Sequence, residues 1–348
     1  MIIPVNKPLG LTKIISPMPK ATLYPTLMII LLGCSILTLV LGDIPWPDVW
    51  NEAIMRLQGA SLKWNPFLDE RLPRLIVIIS TGAALAVSGA VMQGLFHNPL
   101  ASPHLLGISC GGALFVVLVF IFKWHLQYPF SIPLAAFTGS LLTLFFVYLL
   151  SRSDGKVQIH TLILTGIAVS SFLLAIQASI MYAFRENWTL IQTLTEWEVG
   201  STLDRNWKHV HMQLPITIIG LYGCWHYRNE IDILTLGEDQ AKNLGVDVDT
   251  VRWRLFLCVA LLTGGAIAAV GMVAFFGLVL PHLVRRLQGP SSQGVIPLCM
   301  LLGSVSFAGM DLLLRVLKIH NLSIGNISAI LGGIAFLVLL RKFKPRLN

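Results

Sequence analysis

The sequence RLPRLIVIISTGAALAVSGAVMQGL, residues 71–95, decides the class of fold. After Arg74 it contains no charged side chain, and it matches the ~20 apolar residues that a helix needs to cross a bilayer. Gly82, Ala86 and Ala90 recur every four residues, so they share one face of a helix and permit close packing against another. The stretch predicts a transmembrane helix packed inside a bundle.

Apolar runs of bilayer length recur along the chain. Apolar residues make up 55% of its 348 residues and charged residues 12%, about half of the ~25% usual in soluble domains. A soluble fold of this length could not bury so much apolar surface, so we predict an all-α, polytopic membrane protein. The ten predicted spans lie near 22–42, 75–95, 105–122, 130–150, 161–184, 210–225, 255–272, 273–287, 295–317 and 322–340.

Two of these assignments need a separate explanation. The first follows an N-terminal stretch without a small-x-small cleavage site, so we interpret it as a retained span rather than a signal peptide. The run 255–284 is too long for one crossing and short for two. Gly271, Gly277 and Pro281 offer break points, and we therefore divide it.

The distribution of basic residues predicts the orientation. An even number of spans places the two termini on one side, and a cytoplasmic assignment puts more than half of the 25 basic residues inside. The predicted organisation is a cytoplasmic tail over 1–21, one transmembrane domain over 22–341 with a cytoplasmic loop at 227–254, and a cytoplasmic tail over 342–348.

The chain lacks the motifs of an energy-converting or catalytic protein. Gly155-Lys156 has no upstream glycine at the spacing of a nucleotide-binding loop, and there is no H-E-x-x-H. The cysteines are scattered without C-x-x-C spacing, which predicts buried free thiols and neither a metal site nor a cofactor. They are Cys34, Cys110, Cys224, Cys258 and Cys299.

Asp311 is the acid that lies well inside a predicted span. An ionisable residue at that depth is costly, so it could belong to a proton-driven carrier. The alternative is a structural residue near a helix end, paired with Arg315 at the i, i+4 spacing. The structural interpretation is favoured, and we therefore predict a conduit that is driven by another protein.

The loop 227–254 contains a second kind of helix signal. Glu238 stands where a helix N-terminus favours acids, and Gly245 is suited to a left-handed stop. We predict a short helix here and a second helix that begins near Asp247 or Asp249. A short charged helix on the cytoplasmic face could dock a soluble motor, although an ordinary solvated loop explains the same residues.

Several separate motifs resemble the FecCD-type permeases of ABC importers, over about 69–336. They are Arg71-Leu-Pro-Arg74 with Gly82–Gly89 and Gln93, Asn98-Pro-Leu-Ala101 with Leu106-Gly107, Leu164-Thr-Gly166, Trp197 with Gly200-Ser201, Leu236-Gly-Glu with Leu244-Gly245, Phe276–Arg285, and Asp311 with Arg315. The resemblance implies a BtuC-like, type II ABC importer permease with ten helices. Two prolines typical of the family are replaced, at Ser323-Ile-Gly325 and Gly332-Gly-Ile334.

The resemblance also implies partners and sites. A second permease subunit would complete the path, cytoplasmic ATPase subunits would drive it, and a periplasmic or lipoprotein binding protein would deliver the substrate. The implied location of the permease is the bacterial inner membrane, so membrane lipid is an expected partner and nucleic acid is not. The implied sites are Arg71, Arg74 and Arg315 for binding-protein docking, Gly237, Glu238, Ala241, Leu244 and Gly245 for ATPase coupling, and Asn98 and Leu100 for a cytoplasmic gate, where a tight Asn-Pro turn is also expected.

The family implies the class of substrate without fixing its identity. An iron(III)-siderophore is the first expectation, and cobalamin, haem or molybdate are alternatives. A proton-coupled secondary transporter is the rival from another class, followed by a membrane-embedded enzyme or receptor. No cofactor is expected.

Overall fold

A computed structural model describes residues 20–41, 44–59, 64–104, 106–128, 130–153, 156–157, 159–318 and 322–342. The predicted N-terminal tail lies almost wholly outside these ranges, and so does the predicted C-terminal tail. Fifteen α-helices and one small antiparallel hairpin make up the regular structure of the described residues.

The helices follow one another with short connections. They are α1 Lys20–Val40, α2 Trp46–Leu57, α3 Leu72–Leu95, α4 Ile108–Ile121, α5 Trp124–Gln127, α6 Ser131–Leu150, α7 Ile159–Ala183, α8 Trp188–Glu198, α9 Trp207–His226, α10 Arg228–Leu234, α11 Glu238–Asn243, α12 Val248–Val270, α13 Phe276–Gln288, α14 Ser292–Val316 and α15 Ile324–Lys342. A π-helical turn, Phe67–Arg71, leads into α3, and β1 Arg152–Ser153 pairs with β2 Lys156–Val157.

Each of the ten predicted spans coincides with a helix, which confirms the all-α architecture. Six helices in the described ranges are long and apolar enough to cross a membrane, and α4 and α15 contain shorter apolar stretches. The predicted division of 255–284 is confirmed, because α12 ends before Gly271 and α13 begins at Phe276. The 13 residues of α13 extend only about 20 Å at 1.5 Å per residue, so this helix is shorter than a full crossing.

Four helices were missing from the sequence prediction: α2, α5, α8 and α10. Each is only 4–12 residues long and mixes apolar with polar side chains. Such segments carry no run of bilayer length, so a search for apolar runs passes over them.

The centre of the bundle is α3. Buried residues make up 89% of its most apolar window, against 17% for α1 and 11% for α7. It contacts α9, α12, α13 and α14. The stretch 71–95 that defines the class of fold therefore also forms its core.

Glycine contacts allow the central helices to approach each other. A Cβ added to Gly82 would lie 2.3 Å from the carbonyl oxygen of Gly303 in α14, and one added to Gly89 would lie 1.8 Å from that of Gly277 in α13. These separations are far below van der Waals contact, so any side chain here would force the backbones apart. The predicted close packing is confirmed on α3.

We predict that Gly303→Ala destabilises the folded chain by about 1–3 kcal/mol, because its methyl group would overlap the backbone of Gly82. SDS-induced unfolding in mixed micelles measures the change. Gly309→Ala in the same helix is the matched control, since an added Cβ meets no heavy atom within 4 Å. Equal effects of the two substitutions would contradict the packing explanation.

Candidate functional site

The bundle has two ends with different chemistry. Arg71, Arg74 and Arg315 meet at one, which we call the arginine end. The other contains the connections 96–107, 227–247 and 289–291, and we call it the loop end. The predicted docking residues therefore lie together at one end, while the predicted coupling and gate residues lie at the other.

A cavity of about 1670 Å³ opens at the arginine end. The three arginines line it together with residues of α8 and of the connections that follow α8 and α14. Acidic side chains, among them Glu70, Glu196 and Asp204, also reach its wall. The cavity is large enough for a chelate-sized molecule and carries charge of both signs.

The deepest polar contact at this end is an ion pair between α3 and α14. Arg74 Nη2 lies 2.7 Å from Asp311 Oδ1, and Thr202 Oγ1 donates to the same oxygen at 2.5 Å. Arg74 is 7% exposed and Asp311 is fully buried. The predicted pairing of Asp311 with Arg315 is wrong, because the side chain of Asp311 turns across to α3 rather than along its own helix.

Arg71 and Arg315 instead bind the end of α1. Arg71 donates to the carbonyl oxygen of Leu39 at 2.9 Å, and Arg315 donates to those of Thr38 and Leu41 at 2.7 and 3.1 Å. The last carbonyl groups of a helix lack partners within the helix and carry partial negative charge. The two guanidinium groups satisfy them and attach α1 to α3 and α14.

Burial also changes the acid–base properties of two groups beside the cavity. It lowers the pKa of Arg205 to about 10, while the guanidinium donates to the carbonyl oxygen of Ser201 at 3.1 Å. It raises the pKa of Glu198, at the end of α8. Arg205 still carries its proton at neutral pH, so the cavity keeps this positive charge.

Gly200, Gly271 and Gly325 form a glycine junction, where the connections that follow α8 and α12 pack on the start of α15. A Cβ on Gly271 would lie 2.0 Å from the carbonyl oxygen of Trp197, and one on Gly325 would lie 2.1 Å from that of Val199. Ser323 Oγ donates to Val199 at 2.8 Å and accepts from the amide of Asn326 at 3.1 Å. Ser323, which stands where the family tends to have proline, thus caps the start of α15.

At the loop end, Asn98 and Leu100 form the predicted tight turn. Asn98 Oδ1 accepts from the amide of Leu100 at 2.9 Å, an Asx turn that fixes the loop between α3 and α4. Leu100 is 39% exposed. The turn is confirmed, and the gate remains a prediction.

The helices predicted in the loop 227–254 are confirmed. α11 begins after Gly237, which has φ 108°, and is followed by Gly245 at φ 83°. α12 begins at the predicted cap, where Asp247 accepts from the amide of Thr250 at 3.2 Å and from its hydroxyl at 2.7 Å. These donors lower the pKa of Asp247.

The five predicted coupling residues differ in what they expose. Ala241 is fully buried, whereas Leu244 is 61% exposed. Glu238 accepts from Arg252 at 2.5 Å, and Arg252 also donates to the Tyr148 hydroxyl at 3.3 Å. Glu238 and Ala241 therefore fix α11 against the bundle, while Leu244 faces outward.

A family model describing the FecCD transport family matches residues 27–342, which is most of the chain. The chain belongs to the FecCD transport family. It is therefore a permease, a transport component of an ABC importer without catalytic activity of its own.

Several characterised relatives cover most of this FecCD chain. The Fe(3+) dicitrate transport system permease protein FecD of Escherichia coli is 32% identical, over 93% of this chain and all of the relative. The hemin transport system permease protein HmuU of Yersinia pestis is 35% identical, over 81% and 85%. The cobalamin import system permease protein BtuC of Halobacterium salinarum is 32% identical, over 88% and 82%.

The backbone is also similar to a solved structure of an inward-facing ABC transporter of metal-chelate type. The two superpose with a TM-score of 0.78 at 26% identity, over 93% of this chain and all of the other. The FecCD fold predicted from the motifs is confirmed.

Sequence reasoning missed some of the residues that organise the two ends. Arg252 and His97 were not predicted as site residues, and α10 was not predicted as a helix. Motif spacing identifies residues one at a time, whereas these contacts join segments far apart in the chain, so no local pattern predicts them.

We predict that Asp311→Ala lowers the free energy of unfolding by about 3–5 kcal/mol, because it leaves the buried charge of Arg74 without its partner. Replacing the two together, as Arg74→Met with Asp311→Leu, should recover most of the loss. SDS-induced unfolding measures both. Asp48→Ala, at an exposed acid of α2, should change stability by no more than about 0.5 kcal/mol; a comparable loss there would refute the assignment.

Proposed function

We propose that this permease translocates an iron(III)-siderophore or a related metal chelate across the bacterial inner membrane, driven by a separate ATPase. The observation that carries the proposal is the pairing of a large cavity at the arginine end with a short, outward-facing helical segment at the loop end. Such a chain can bind a bulky molecule at one end, and at the other end it can respond to a conformational change of an ATPase.

The proposed orientation places the arginine end outside and the loop end in the cytoplasm, with the two termini inside. The basic tail near 341–346 and the basic residues of the loop 227–254 favour it through the positive-inside rule. The proposed organisation keeps the transmembrane domain at 22–341.

For the ATPase, we propose that Gly237, Glu238, Ala241, Leu244 and Gly245 form the coupling site. The exposed side chain of Leu244 supports contact with a partner, while the Glu238–Arg252 ion pair supports transfer of movement into α12. Gly237 and Gly245 have positive φ angles, which allow the chain to turn sharply before and after α11. Asn98 and Leu100 form the proposed inner gate.

For the substrate-binding protein, we propose docking at Arg71, Arg74 and Arg315. Their side chains bond mainly within the chain, so their contribution to docking is the positive potential of the cavity wall rather than new ion pairs. Such a potential steers an acidic partner and fixes its register more than it adds affinity.

A second permease subunit is proposed to cover α7. Only 11% of the most apolar window of α7 is buried within this chain, while Leu164, Ile167 and Phe172 are exposed. A second subunit beside it, with lipid around the pair, would enclose the path between two copies or two related chains.

The substrate class follows from relatives named for Fe(3+) dicitrate and for iron(3+)-hydroxamate import, which support a ferric chelate. Relatives named for hemin and cobalamin match at similar identity, so haem and cobalamin are alternatives, with molybdate behind them. A proton-coupled carrier is disfavoured, because the buried acid Asp311 is held by Arg74.

Alternating access connects these parts. ATP binding to the partner shifts the coupling segment, and the bundle changes from open at the arginine end to open at the loop end. Partners that bind the two conformations with different affinity supply the bias between them.

We predict that Leu244→Ser lowers ATP-driven uptake at least about 10-fold, because it removes an exposed apolar contact to the ATPase worth about 1.4 kcal/mol or more. The measurement is uptake of ferric siderophore into vesicles containing the permease, its ATPase and its binding protein. Leu57→Ser, at an exposed leucine of α2 outside the cavity lining, is the matched control and should leave uptake unchanged. Uptake that persists without ATP but follows a proton gradient would overturn the proposed function.

We predict that Arg315→Gln slows association of the binding protein and weakens the dependence of that rate on salt, because it removes one positive charge from the cavity wall. Stopped-flow or surface-based kinetics at two ionic strengths measures this. Arg228→Gln, at the loop end, is the control. Identical salt dependence in the wild type and Arg315→Gln would show that the charge takes no part in docking.

A further inference from the structure

One side chain links the proposed coupling segment to the proposed gate. His97 follows the last turn of α3, and its Nε2 is hydrogen-bonded to the carbonyl oxygen of Leu234, the last residue of α10. A carbonyl oxygen only accepts hydrogen bonds, so Nε2 carries the hydrogen. The two residues are 137 positions apart in the chain.

This hydrogen bond lies between the loop that contains the proposed gate and the proposed coupling segment. His97 immediately precedes Asn98, the first residue of the Asx turn, and Leu234 is separated from α11 by a short turn that ends at Gly237. A displacement of α10 therefore acts on the gate loop through a single side chain, without passing through the length of a transmembrane helix.

Tight packing beneath the bond makes the connection stiff. Ile231 and Leu234 of α10 are each 1% exposed. A Cβ added to Gly94, in the last turn of α3, would lie 2.7 Å from Ile231 Cγ2. The side chain of Ile231 therefore packs directly on Gly94, and this packing holds α10 where Leu234 meets His97.

The opposite side of α10 is attached as well. Asp232 accepts from the amide of Ser292 at 2.7 Å and from the hydroxyl of Ser291 at 2.9 Å, at the start of α14. α10 thus bridges the start of α14 and the end of α3. Among the hydrogen bonds of α10 in the described residues, the bond to His97 is the one that reaches the gate loop.

The backbone of His97 has an unfavourable conformation that its surroundings must hold in place. Its φ is 48°, in the left-handed region that side-chain-bearing residues adopt at a cost, with asparagine, aspartate and histidine the more tolerant ones. Such a conformation persists when surrounding contacts hold it. The bond to Leu234 is a contact of this kind.

We propose that His97 is a positioning residue that transmits movement of the coupling segment to the inner gate. The proposal rests on the proposed function, since it assumes an ATPase that acts on residues 237–245. It goes beyond that function by assigning the mechanical link to one side chain. His97 touches neither substrate nor nucleotide in this role.

The test compares two amides at this position. His97→Gln keeps an N–H donor with comparable reach to the carbonyl oxygen of Leu234. His97→Asn is one methylene shorter and cannot reach it, yet asparagine accepts the left-handed backbone, so the loop conformation is kept. The pair separates loss of the bond from loss of the fold.

The measurements are ATP hydrolysis and ferric-siderophore uptake in the same vesicles, with permease, ATPase and binding protein present. His97→Asn should retain ATP hydrolysis within about 2-fold while uptake per ATP falls at least about 5-fold, and His97→Gln should keep uptake per ATP near that of the wild type. His226→Asn, at an exposed histidine of the loop end, is the control and should change neither.

The inference is overturned if His97→Asn lowers hydrolysis and uptake by the same factor, or if His97→Gln is as impaired in uptake per ATP as His97→Asn. If neither histidine variant folds, Gly94→Ala applies the same comparison by pushing α10 away from α3, and unchanged uptake per ATP in that variant overturns the inference. Absence of ATP-driven uptake in the wild type would instead refute the proposed function.

Discussion

The buried ion pair between Arg74 and Asp311 joins α3 to α14 where solvent hardly reaches. In the membrane, a polar group that lacks a partner is costly, so each charge in the bundle must be neutralised by another part of the chain. Thr202 brings the connection after α8 to the same carboxylate. Three distant segments are thus fixed in one place, and the cavity at the arginine end has its walls because they are fixed.

The same requirement shapes the rest of the permease. Backbone carbonyls at the end of α1 accept from arginines, and the carbonyl of Leu234 accepts from His97 in addition to the amide of Gly237. Glycines handle the places where backbones meet without side chains, at the crossing of α3 with α14 and at the glycine junction. Charge and small size, rather than apolar bulk, therefore determine how these helices are arranged in lipid.

Apolar run length and glycine placement are local signals. They were sufficient to predict the class of fold, the ten main helices and the break before α13. The short helices α2, α5, α8 and α10 were not predicted, since they are shorter and more polar than a bilayer crossing requires. Asp311 shows the other limit: the i, i+4 spacing favoured Arg315, yet the ion pair forms across helices with Arg74. Motifs singled out Arg71, Asn98 and Gly245, which the structure places at the ends of the bundle, but what each residue touches depends on tertiary contacts that one sequence does not display.

The attachment of α1 has a consequence for biogenesis. Thr38 receives its guanidinium partner from a residue 277 positions later, so during translation the first span must wait in the bilayer until nearly the whole polypeptide has been inserted. A truncated product that stops before α14 lacks the contacts of Arg315 with Thr38 and Leu41, and Arg71 is then the arginine that still holds the end of α1. The attachment of the first span is therefore completed only when the last part of the bundle is in place.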